Sequence, residues 1–90
     1  MANLERTVSV TMKVTADEAK AFKEAASAES MSVSEYVRAA TLMYMAMTGH
    51  KFALRLLARG ALRVSADLGR VVVEWCTTKG YLSEVSRAAR

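Results

Sequence analysis

The chain has 90 residues, 52% of them hydrophobic, with no proline, one cysteine and a formal net charge of +4. That is enough for one small domain whose core is marginal for a lone copy, so the apolar excess points to burial against a second copy. An internal disulfide is excluded, no apolar run has the length of a membrane span, and residues 1–5 lack the build of a signal peptide; the expected location is the cytoplasm, with no membrane contact.

Residues 1–5 read as a short arm. From 7 to 14, within an expected strand over 6–14, polar and apolar residues alternate: Thr7, Ser9, Thr11 and Lys13 on one side, Val8, Val10, Met12 and Val14 on the other. This period of two predicts a half-buried strand. A single amphipathic strand cannot make a sheet by itself. The simplest remedy is pairing with the same strand of a second copy, antiparallel and two-fold symmetric. The outer face of such a ribbon carries Ser, Thr and Lys from both copies, and a two-stranded ribbon fits the DNA major groove.

Thr15 and Glu18 then form a T-x-x-E capping box, which opens a helix over 16–29 with Ala19, Phe22, Ala25 and Ala26 on its apolar stripe. Ser30 stands where a left-handed residue, usually glycine, ends a helix. Ser32 and Glu35 make a second box, and a helix over 33–48 follows, with Val33, Tyr36, Val37, Ala40, Met43, Tyr44 and Met47 on one broad face. Gly49 is its expected C-cap. Beyond it, Leu54, Ala58, Ala61, Ser65, Leu68, Val72 and Trp75 alternate spacings of four and three, the seam of one long helix over 51–78; a break at Gly60 is the alternative. Gly80 ends that helix, and Tyr81, Leu82, Val85 and Ala88 suggest a short terminal one.

Charge is uneven along the chain. Residues 1–48 hold five Lys/Arg and six Asp/Glu; residues 49–90 hold eight and three. A basic balance favours polyanionic partners. Lys51, Arg55, Arg59 and Arg63, four apart, form a basic stripe on the expected helix, suited to DNA phosphates or to an acidic partner surface, or merely a solvated face. Asp67 is placed to pair with Arg63. His50, beside a helix end, reads as a favourable charge for the helix dipole. Cys76 lacks a metal-spaced partner and reads as a buried thiol. No phosphate loop, catalytic carboxylate pair or nucleophile–base arrangement is visible, so neither an enzyme, a metal nor a cofactor is expected.

The runs V-S-V-T-M-K-V-T, A-D-E-A-K-A-F-K-E-A-A and M-S-V-S-E-Y-V-R-A-A, in that order, resemble the ribbon-helix-helix DNA-binding superfamily of Arc- and MetJ-like repressors over about residues 6–48. The departure is Ser30, where many relatives carry glycine. The S-V-S-E-Y-V-R-A-A segment looks most like accessory proteins of plasmid-mobilisation relaxosomes, small plasmid or phage repressors, and some antitoxins. The resemblance implies a mainly α homodimer with one strand per chain. Its ribbon residues Ser9, Thr11 and Lys13 would meet bases, chemistry that their hydroxyls and ammonium group can supply. Arg6, Thr7 and the helix opening at Ser32, Val33 and Ser34 would meet phosphates. Val8, Val10, Met12, Val14, Phe22, Tyr36 and Val37 would form the dimer core. Residues 1–48 are thus the expected DNA-binding module, and 49–90 a helical extension for dimer or tetramer formation or for a protein partner. The leading function is a sequence-specific transcriptional regulator, a repressor. The alternatives are a relaxosome accessory that binds a transfer origin and recruits a relaxase, an antitoxin, and a plain protein-interaction module.

Overall fold

The computed structural model describes residues 8–82 and contains four helices: α1 over Ala16–Ala28, α2 over Val33–Met47, α3 over Lys51–Ala58 and α4 over Ala66–Thr78. Both expected capping boxes form. The Thr15 hydroxyl accepts from the Glu18 N–H at 3.1 Å while the Glu18 carboxylate accepts from the Thr15 N–H at 2.9 Å. Ser32 and Glu35 repeat this, with both bonds at 3.1 Å. Two orphan donors are thereby satisfied at each helix start.

Three helices end alike. Ser30, Gly49 and Gly60 adopt φ of 55°, 88° and 70°, and the next residue donates back into the last turn: Met31 to Ala26, His50 to Met45 and Ala61 to Leu56. This six-to-one bond satisfies carbonyls that the helix leaves open. Ser30 does without glycine the task that glycine does at the other two ends, at some steric cost. Gly49 has a second reason to lack a side chain, since a Cβ there would come within 3.1 Å of the Tyr81 ring.

Two expectations are corrected. Among the described residues there is no strand: 8–14 has no regular secondary structure, and the mainly α fold with one β-strand gives way to an all-helical one. A strand exists through its ladder of hydrogen bonds, and the described chain contains no second extended segment to supply the ladder. The single helix over 51–78 is also replaced by α3 and α4. Gly60 leaves the helical region, Leu62 drops into the core, and the Ser65 hydroxyl caps α4 by accepting from the Leu68 N–H at 3.3 Å. The regular four-three spacing is therefore not one seam. Leu54 and Val72 are buried, whereas Ala58, Ala61 and Leu68 are exposed. The expected terminal helix beyond Gly80 lies mostly outside the described residues.

The core sits where α3 and α4 close on the second half of α2. Ala46, Ala53, Leu54, Leu57, Leu62, Val72 and Cys76 are buried together. Two polar contacts fix α4 there: the Trp75 indole N–H donates to the Met47 carbonyl at 2.8 Å, and the Cys76 Sγ lies 3.5 Å from the Ala46 carbonyl oxygen. The expected buried thiol is found, and burial raises its pKa. α1 adds one buried residue, Ala26, and packs on α2.

Candidate nucleic-acid interface

Segment 8–14 lies exposed ahead of α1. Ser9, Thr11 and Lys13 face solvent, and so do the apolar residues between them: Val8 is 83% exposed, Val10 is 93%, and Met12 and Val14 are also exposed. In one copy of the chain the alternation separates no buried side from a solvated one. Of the other expected dimer-core residues, Phe22, Tyr36 and Val37 are half-buried. Arg6 and Thr7 lie outside the described residues.

The first turn of α2 is open to solvent at Ser32, Val33 and Ser34. The cap engages the Ser32 hydroxyl and the Glu35 N–H. It leaves the N–H groups of Val33 and Ser34 outside the helix's own ladder, where partial positive charge accumulates. Glu35 opposes an incoming anion at this turn. Its carboxylate is held below its ordinary pKa of 4.5 first by the backbone N–H of Ser32, then by the charge of Arg63, then by the Ser32 hydroxyl. Arg63 reaches it across the fold at 2.7 Å and offsets its charge.

The four-spaced cations do not share one helix. Lys51 and Arg55 stand on α3, Arg59 is its C-cap, and Arg63 lies in the loop before α4. All four are exposed. Asp67 pairs with Arg70 at 2.6 Å, and not with Arg63 as its spacing implied. The Glu35–Arg63 link was not legible in the sequence, because the break at Gly60 folds Arg63 back onto α2. His50 ends up as the N-cap of α3, where its side chain makes no capping bond. A second exposed surface lies on α4: Val71 and Trp75 are solvent-facing, with the Lys79 ammonium 4.7 Å from the centre of the Trp75 ring. Among the described residues no group of His, Cys, Asp and Glu is arranged to hold a metal. No helix there is long and apolar enough to cross a membrane.

Comparison with known families decides what this arrangement belongs to. Residues 5–71 match the model of the NikA-like family, described as mobilization protein NikA. The chain belongs to the NikA-like family. The match runs through segment 8–14, α1, α2 and α3 and into α4, so it takes in every candidate contact except the outer half of α4. It supports the plasmid-mobilisation side of the resemblance and offers nothing specific for a repressor. No curated protein and no solved structure matches the chain.

Proposed function

We propose that this chain is a DNA-binding accessory protein of a plasmid relaxosome, one that marks the transfer origin and helps bring a relaxase to it. The observation that carries this reading is the family match over residues 5–71. Net positive charge and the open first turn of α2 support it. In this reading Ser9, Thr11 and Lys13 touch base edges while Arg6, Thr7 and residues 32–34 contact the backbone, dividing sequence readout from positioning. No catalytic role is assigned to the chain; the nicking chemistry belongs to its partner.

The same reading includes a homodimer. Val8, Val10, Met12, Val14, Val33 and Tyr44 are apolar side chains that a single copy leaves in water. A second copy presenting the same surface covers it. It also doubles the number of groups available to a two-fold DNA site.

The test is selection of bound fragments from the plasmid or genome that encodes the chain. Enrichment beside the nick site of DNA transfer supports the relaxosome role. Enrichment of the promoter upstream of its own gene replaces it with a regulator, and no enrichment removes sequence-specific binding altogether.

A further inference from the structure

One stretch carries the net charge of this protein. Between Glu35 and Asp67 the chain has five basic residues, Arg38, Lys51, Arg55, Arg59 and Arg63, and no acidic one; everywhere else eight Lys/Arg face nine Asp/Glu. α3 displays most of that excess. Its Ala53, Leu54 and Leu57 are buried, and at about 3.6 residues per turn Lys51, Arg55 and Arg59 fall on the opposite side. The ion pairs of the described residues, Arg63–Glu35 and Arg70–Asp67, leave these three cations out.

Their direction is fixed by two connections. α2 ends at Met47 and α3 begins at Lys51, while Arg63, past the end of α3, touches Glu35 in the first turn of α2. α3 therefore runs back along α2. Its cations lead from the C-terminal end of α2 toward the turn where Ser32, Val33 and Ser34 are open.

We propose that Lys51, Arg55 and Arg59 hold the phosphate backbone of duplex DNA, a track that continues from the N-terminus of α2 and lengthens the DNA footprint beyond segment 9–13. This rests on the reading that the chain binds DNA. From Lys51 to Arg59 the track is about 12 Å long, with its three cations about 6 Å apart along the helix axis, so that each can meet a phosphate of its own. Its character fits a polyanion better than a protein. Protein interfaces gather apolar residues at the centre and deplete charge there. Here charge of one sign recurs every turn, with Phe52 the single large apolar side chain among it. Glu35 limits the track by engaging Arg63, the cation nearest the α2 turn.

The experiment uses the full chain, a 40-base-pair duplex of random sequence, and polyglutamate as an acidic polypeptide. Duplex affinity is measured across a salt series for the wild type, for the variant K51Q/R55Q/R59Q and for Arg55→Gln alone. The three side chains are exposed, and circular dichroism checks that the helices persist. The expected result is about tenfold or greater weakening for the triple variant at low salt. The slope of log affinity against log salt should fall by about two to three, near 0.9 for each phosphate no longer neutralised, and by about one third of that for the single variant. Glu35→Gln, which keeps the capping geometry, should tighten duplex binding by freeing Arg63. Unchanged affinity and slope in the triple variant overturn the proposal while leaving DNA binding intact. Tighter binding to polyglutamate than to duplex, abolished in the triple variant, overturns it in favour of an acidic protein surface. A wild type that binds no duplex removes both this proposal and the DNA-binding reading beneath it.

Discussion

The two halves of the molecule solve the burial problem differently. Around α3, α4 and the end of α2, seven residues close into a core within one chain. Ahead of them, segment 8–14 and α1 supply a single buried residue, Ala26, while four apolar side chains of 8–14 stay in solvent. The first region buries its apolar side chains within one chain. The second leaves most of its own in solvent. The same amino-acid type therefore carries different energetic meanings: Val72, 1% exposed, is part of the core, and Val10, 93% exposed, adds nothing to it.

That contrast is best broken with a matched pair of substitutions. Val72→Asp buries an unpaired charge and is expected to cost on the order of 4 kcal/mol or more. Urea or thermal denaturation should show the cooperative transition abolished or sharply lowered. Val10→Asp adds the same charge to an exposed position, so helicity and melting of the single chain should be unchanged. What should disappear is self-association, read by analytical ultracentrifugation. A Val10→Asp chain that still dimerises removes segment 8–14 from the interface. Lys13→Ala tests the same segment from its polar side: a loss of roughly 1–3 kcal/mol on the specific site and little on random duplex is expected for a base contact. Equal losses on both would reduce Lys13 to a phosphate contact.

Smaller effects sharpen the picture at the joint between the halves. Ser30→Gly should stabilise the chain by up to about 1 kcal/mol in thermal melts, because glycine adopts the left-handed turn without the serine's steric cost. The Glu35–Arg63 link should respond to acid. Glu35 titrates below its ordinary 4.5 in the folded chain, so its contribution is complete above that value and is lost as pH falls through the lowered one. Nuclear magnetic resonance titration of the Glu35 carboxyl carbon should place its midpoint below 4.5 in the wild type and move it upward in Arg63→Ala.

The sequence makes legible whatever the chain determines locally. Thr15 with Glu18, and Ser32 with Glu35, announce two helix starts because a capping box needs only four consecutive residues. Ser30 and Gly49 announce two helix ends for the same reason. The alternation over 8–14 points to a strand that the structure does not contain: no second extended segment among the described residues supplies its hydrogen-bonding partner. The four-three spacing through Gly60 misleads because small residues fit a helical seam and a turn equally well. Ser65 followed by Asp67, a cap with an acid in the first turn, is the signal that α4 starts anew. The open turn at residues 32–34 is expected from sequence as a phosphate site. The return of Arg63 to that turn is not, since it depends on how the loop folds back.

Trp75 gives the joint a built-in optical probe. It is the only tryptophan of the chain, and its indole N–H is bonded to the carbonyl of Met47, where α2 ends. The tryptophan fluorescence of the whole protein therefore comes from the seam between α2 and α4. Separation of the two helices exchanges that carbonyl for water and shifts the emission to the red, so an unlabelled sample reports whether α4 stays docked during any DNA or denaturant titration.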